Sequence, residues 1–224
     1  MREIVLDTET TGLSPKSGHK VVEIGCVEMV NQVATGETYH QYINPERDMP
    51  EEAFAIHGLS EAFLSDMPNF AAIADAFLEF VGDAKFVIHN AEFDMNFLNW
   101  ELKALGRDPL EMSRATDTVK LARQKFPGAP ASLDALCKRF HIDNSNRQLH
   151  GALLDARLLA DVYLELTGGR QRGLTLSGPK AHADTAETGT ARVAREPRPH
   201  SPSNDELTQH QAFVGKLTDA VWSR

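Results

Sequence analysis

"EIVLDTETTGL", residues 3 to 13, sets an apolar run directly against two acids. Ile4, Val5 and Leu6 are residue types that suit a buried strand, and the run carries straight into Asp7 and Glu9. Side chains alternate along a strand, so residues two apart face the same side, and the two carboxylates are expected to point together. That pairing is an electrostatic defect. Desolvation behind an apolar run raises the pKa of each acid, and mutual repulsion raises both further. An isolated D-x-E is more often a strand end running into an acidic turn. A divalent cation would remove the defect, because Mg²⁺ takes carboxylate, water and phosphate oxygens. The reading then turns on whether the chain supplies further carboxylates.

Outward from this stretch, Val21–Val30, Thr38–Ile43 and Lys85–His89 are rich in Val and Ile with partial alternation and read as strands, as does Glu3–Leu6. Helices are predicted over Phe70–Val81, Phe93–Leu105, Asp117–Lys125, Leu133–Phe140 and Ala152–Leu166. In the last of these, Leu154, Leu158, Ala160, Val162 and Leu166 give a broad apolar stripe. Three strands ahead of the helices and one strand among them indicate an α/β or α+β domain with a mixed sheet.

The pattern breaks at Thr167–Gly169. Between 168 and 206 the large aliphatics are Leu174, Leu176 and Val193, too few to offset chain entropy, so residues 170–202 are expected to be a disordered linker. "SNDELTQHQAFVGKLTDAVW", residues 203 to 222, then opens with a capping-box pattern, Ser203 and Glu206. Leu207, Val214, Leu217 and Val221 share one helical face there, flanked by Phe213 and Trp222. An amphipathic segment after a linker reads as a docking peptide, with folding back onto the domain as the alternative.

The 224 residues suffice for one domain with a real core plus an appendage. The net charge of −9 is uneven: residues 1–167 carry 15 basic and 26 acidic side chains, and the remainder 8 and 6. An acidic domain lacks the basic footprint of a phosphate-binding surface. Any action on nucleic acid would need cations at the site or a partner that holds the polymer. No apolar run approaches the ~18 residues of a membrane span, and the opening "MREIVLDTE" is unlike a signal peptide. Cys26 and Cys137 sit within apolar patterns and read as buried free thiols, which suits a reducing cytoplasm.

Two further acids stand out. Asp94 lies in "FVIHNAEFDMNF", where a strand passes into a helix, a common place for functional groups; a first-turn acid favoured by the helix dipole is the simpler reading. Asp155 lies among aliphatics in "LHGALLDARLLADVY", five residues after His150. Five helical residues turn through about 500°, leaving two side chains roughly 140° apart. His150 and Asp155 converge only if His150 lies at or before the helix start, and Gly151 makes such a start plausible.

Together, D-x-E, the aspartate of "HNAEFD" and H-x-x-x-x-D resemble the motifs of the DEDDh exonucleases. Within that superfamily, "VLDTETTGL", "AFAIHGLS", "HNAEFDMNFL" and "FPGAPASLDALCKRFHIDNSNRQLHGALLDARLLADVYLELTGG" follow the block order of the epsilon proofreading subunits of bacterial DNA polymerase III, over residues 1–169. The resemblance implies a ribonuclease-H-like mixed β-sheet flanked by helices, then the linker and a short C-terminal helix. It implies that Asp7, Glu9, Asp94 and Asp155 hold two divalent cations, Mg²⁺ or Mn²⁺, with Asp7 between them and His150 as general base. Substrate contacts would fall to Glu9, Thr10, Gly12, Leu13, Glu52, His57, Asn90 and Phe93. Core packing is the alternative for Leu13, and a structural hydrogen bond for His57.

The tail fits the same resemblance. "QRGLTL" is similar to the Q-x-x-L-x-L/F peptides that dock into sliding clamps, through Gln171, Leu174 and Leu176. Residues 203–224 would bind the polymerase alpha subunit, with room for a small theta-like subunit on the complex. A linker of roughly 30 residues reaches about 30 Å, enough to tether the domain at high effective concentration. The implied activity is cytoplasmic, metal-dependent 3′→5′ editing of DNA 3′ ends. The alternatives are a related exonuclease acting on RNA 3′ ends or repair intermediates, and an inactive adaptor that keeps only the binding tail.

Overall fold

The computed structural model describes residues 1–145, 147, 149–168 and 201–216. The chain divides into two units, the second beginning after Leu174. Gln171, Leu174 and Leu176, and most of the expected linker, lie outside the described residues.

The first unit is built on a five-stranded mixed sheet in the order β3-β2-β1-β4-β5. β1 (Arg2–Thr10) is longer than its apolar run, so Asp7 and Glu9 lie inside the strand rather than after it. It pairs antiparallel with β2 (Val21–Val30) and parallel with β4 (Lys85–Ile88). β3 (Val33–Tyr42) starts five residues earlier than the expected Thr38. The reason is local: Asn31 and Gln32 both take positive φ, 53° and 67°, making a two-residue hairpin loop that keeps the strands paired to its ends. β5 (Ala115–Asp117), α1 (Glu51–His57) and α2 (Glu61–Leu64) had no sequence expectation. Segments of three to seven residues are too short for a periodic pattern.

Strand alternation divides the core into two layers. Ile4 and Leu6 face α3 (Phe70–Val81) and α4 (Ala91–Ala104), meeting Phe77, Phe97 and Leu98. Val5 faces the opposite layer, where α6 (Leu133–Phe140) and α7 (Ala152–Leu166) bring Leu136, Ala156, Leu159 and Val162; α5 (Thr118–Lys125) adds Ala122. Glu3, Val5, Asp7 and Glu9 therefore share the face that α7 covers. Tyr163 of α7 donates its hydroxyl to buried Glu3 at 2.8 Å, fixing one end of that contact. Gly25 fixes the other. It lies opposite Asp7 in the β1–β2 register, and a Cβ there would come within 2.2 Å of Leu153 N and 2.3 Å of Ala152 C. Only a glycine lets the first turn of α7 press onto the sheet beside Asp7.

Cys26 and Cys137 are buried free thiols, as expected. In the second unit, α8 (Asn204–Val214) opens with the expected capping box: Ser203 Oγ accepts from Glu206 N–H at 3.3 Å, and Glu206 Oε2 accepts from Ser203 N–H at 2.8 Å. None of its residues is buried, and Leu207 and Phe213 are exposed. Leu217, Val221 and Trp222 of the expected apolar face lie outside the described residues. Among the described residues no helix is long and apolar enough to cross a membrane.

Candidate active site

The carboxyl end of β1 opens into a cleft of about 710 Å³. Asp7 and Glu9 enter it from one strand, whose pairing with β2 shifts register between Glu9 and Thr10. Bulges of this kind re-aim side chains at the ends of strands. Asp94 enters from the first turn of α4. The β4–α4 connection passes through Asn90 at φ 68°, ψ 56°, a left-handed conformation that a non-glycine residue rarely adopts. Thr8 ties this turn to β1, its backbone N–H and hydroxyl both donating to Asp94 Oδ1, at 3.0 and 2.7 Å.

Asp155 comes from the first turn of α7, placed by the Gly25 contact. His150 lies just before the cap residue Gly151, which is extended at φ −157°, so it escapes the helical rotation that would turn it from Asp155. Its backbone N–H donates to Ile56 O at 3.0 Å, and Leu149 packs over Gly58, anchoring the loop to the end of α1. Ligand atoms of Glu9, His150 and Asp155 lie within 4.8 Å of one another. His150 Nδ1 is 3.4 Å from Asp155 Oδ2.

The electrostatics are those of an under-neutralised site. Burial pushes Asp7 well above the usual carboxylate range, and Asp94, Glu9 and Asp155 push it further. Glu9 is raised to about 8 by burial first, then by Asp155, Glu23 and Asp94. Asp94 is raised to about 7 by burial, held from going higher by the Thr8 hydrogen bonds. Among the described residues the side chains of Asp7 and Glu9 accept no hydrogen bond, and Arg147 is the one Lys or Arg lining the cleft. Arg147 draws both Asp7 and Glu9 downward. No expectation pointed to it; a lone basic residue in "NSNRQLH" has no periodic or motif signature.

The expected substrate contacts divide by position. Thr10, Gly12, Leu13, Glu52, His57 and Phe93 line the cleft. Asn90 lines an adjoining groove that shares Leu13 and Phe93 with it. Leu13 is 86% exposed, so core packing does not explain it. Gly12 has a packing reason of its own, since a Cβ would lie 2.4 Å from the His19 ring. The Thr10 hydroxyl is engaged in the turn, donating to Gly12 O at 2.7 Å. His57 Nδ1 accepts from Leu59 N–H at 3.0 Å, the structural hydrogen bond weighed for it, and this puts its proton on Nε2. That nitrogen is buried and has no partner among the described residues.

Hard oxygen donors, buried and short of positive charge, suit a divalent cation of the Mg²⁺ or Mn²⁺ kind. Asp7, Glu9, Asp94 and Asp155 fit such an ion in donor type and in lining one cleft.

Comparison with known proteins agrees. The exonuclease family profile (RNase_T) matches residues 4–163. The DNA polymerase III subunit epsilon of Rickettsia felis is 53% identical over 222 residues, 97% of each chain. That of Escherichia coli K12 is 43% identical over 221 residues, 94% of this chain and 91% of that one. Among solved structures, exonuclease X in complex with 5′ overhanging duplex DNA superposes with a TM-score of 0.59 at 29% identity, covering 74% of this chain and 91% of that one. The nuclease domain of 3′hExo, a DEDDh family member bound to rAMP, gives a TM-score of 0.64 at 15% identity with the same coverage, a likeness of fold alone. The fold is thus the ribonuclease-H-like mixed sheet that the resemblance implied. Exonucleases of this family use divalent metal ions.

Proposed function

The chain belongs to the exonuclease family and, within it, to the epsilon subunits of bacterial DNA polymerase III, and on that premise we propose that it edits DNA 3′ ends as the 3′→5′ exonuclease of the replicative polymerase. The observation that carries this reading is the convergence of Asp7, Glu9, Asp94 and Asp155 from three elements on one cleft, with His150 beside Asp155.

Two divalent cations, Mg²⁺ or Mn²⁺, supply the charge neutralisation that phosphodiester hydrolysis requires and make the attacking water more acidic. The residues of the chain do the rest. Asp7 and Glu9, aimed together by one strand, hold the cations with Asp94 and Asp155. His150 takes the proton of the attacking water at a ring nitrogen, acting as general base. Exposed Leu13 and half-buried Phe93 offer apolar faces to the terminal base. Such faces accept any base, as an editor of mismatches must. His57 Nε2–H and Glu52, which line the α1 wall of the cleft, make polar contacts to the terminal nucleotide. Asn90 extends the surface into the adjoining groove.

The tail supplies retention. Gln171, Leu174 and Leu176 dock on the sliding clamp, and the segment from Ser203 onward docks on the alpha subunit, none of the α8 residues being buried. Tethering compensates for a catalytic domain that is itself acidic. The test is a 3′-labelled primer on a DNA template, mismatched or matched at its end. Mg²⁺ should give faster release of the mismatched nucleotide, and a chelator should abolish it. Release that ignores both pairing and chelator, or a preference for an RNA 3′ end, would refute the reading.

A further inference from the structure

Arg147 is the feature the exonuclease reading leaves unexplained. Its side chain is 8% exposed, unusual for an arginine on a loop. The guanidinium grips Asp155 with both prongs, Nε to Oδ1 and an Nη to Oδ2, each at 2.6 Å. Its other Nη donates to Asp134 Oδ1 at 2.7 Å, on the first turn of α6. The prong that reaches Asp155 Oδ2 also lies 3.0 Å from His150 Nδ1. One cation thus occupies both oxygens of a metal-ligand candidate and touches the candidate base.

Both engagements run against the chemistry of the cleft. A bidentate guanidinium takes one lone pair on each Asp155 oxygen, and its charge repels a divalent ion that would use the others. An arginine N–H can only donate, so its contact with His150 makes Nδ1 the acceptor and places the imidazole proton on Nε2. A neutral ring in that form has no free lone pair with which to take a proton from water. Asp134 gives the guanidinium somewhere to stay when Asp155 is taken, because it lines the same cleft with a side chain that is 60% exposed.

We propose that Arg147 is the built-in counter-cation of this site: it holds Asp155 and His150 in the metal-free protein and competes with the incoming divalent ion, so that metal loading and release of His150 happen together. This rests on the metal-dependent reading above and adds to it a residue that opposes metal binding. A scaffold role would act with the opposite sign. If Arg147 merely oriented Asp155, its loss would loosen the metal; as a competitor, its loss tightens it.

The experiment is titration of Mn²⁺ into the full chain without DNA, with free Mn²⁺ followed by its paramagnetic resonance signal. Arg147→Gln should bind Mn²⁺ about tenfold more tightly than the parent chain, equivalent to about 1.4 kcal/mol. Arg147→Lys keeps the charge but loses the fork, and should fall between them. The Arg147→Lys comparison decides the matter if Arg147→Gln fails to fold by circular dichroism. Unchanged or weaker Mn²⁺ binding in the folded variants overturns the proposal, while DNA hydrolysis by the parent chain would leave the exonuclease reading standing. A parent chain that binds no Mn²⁺ overturns both.

Discussion

Glu9 and Glu23 face each other across β1 and β2, and both are buried. Glu23 has a partner, His40 Nε2 at 2.7 Å. The side chain of Glu9 has none among the described residues. The contrast extends across the fold. Buried Glu101 pairs with Lys20 at 2.9 Å, and buried Glu3 accepts from Tyr163. At the other end of β1, Asp7 and Glu9 sit among Asp94 and Asp155 with a single arginine. Burial does not separate these groups, since Glu3 and Glu101 at 6% exposure resemble Glu9 at 8%. Counter-charge does. A buried acid with a partner is part of the framework, and a cluster without enough partners is a candidate cation site.

The comparison breaks most visibly in turnover. Asp7→Ala with Glu9→Ala should lower nuclease activity by more than about a thousandfold, measured on a 3′-labelled single strand. Glu101→Ala, equally buried, should leave the rate per folded molecule within about threefold while lowering stability by about 1 kcal/mol. His150→Ala should cost on the order of a hundredfold in turnover, as loss of a general base does, with Mn²⁺ binding retained. If metal binding goes too, His150 is a ligand.

Gly25→Ala sharpens the contrast from the framework side. Its Cβ would strike the α7 backbone, so a loss of about 1–3 kcal/mol on chemical denaturation is expected. Asp155 should shift with the helix, and turnover of the folded fraction should fall. A variant with parental stability and activity would show that the close approach of α7 is dispensable.

The smallest expected effect is the pH dependence of metal-free stability. Glu9 is raised from 4.5 to about 8 and Asp94 from 3.8 to about 7. Between these limits the folded chain holds protons that the unfolded chain has released. Their contribution to stability is therefore greatest at low pH and is lost as pH rises through about 7 to 8. The melting temperature in chelator should fall across that window, and Glu9→Gln should flatten the fall. Glu101→Gln should leave the slope as it is.

Much of this contrast is legible in the sequence, for reasons that differ by element. β1 shows itself because an Ile-Val-Leu run reads as a buried strand, and strand alternation alone puts the two acids that follow it on one side. α7 shows itself through its apolar stripe, and Gly151 puts His150 outside the helix. Which acids meet is another matter: Asp7, Asp94 and Asp155 are far apart in the chain, and no periodicity links them, so the assembled set came from resemblance to a family. Arg147 escaped notice because a bidentate grip depends on where a loop returns, which local sequence does not encode. β5 escaped because three residues cannot display alternation. The role of Gly25, obvious once α7 lies on the sheet, reads in the sequence only as a glycine weakening a strand.

The most direct test of the central claim is thermal melting of the full chain at pH 8, with and without Mn²⁺ and in the absence of DNA. A cleft short of positive charge should give a clear rise in melting temperature on adding Mn²⁺ to the parent chain and to Glu101→Gln, and no rise in Asp7→Asn with Glu9→Gln. An equal rise in all three, or none in the parent, would contradict the account.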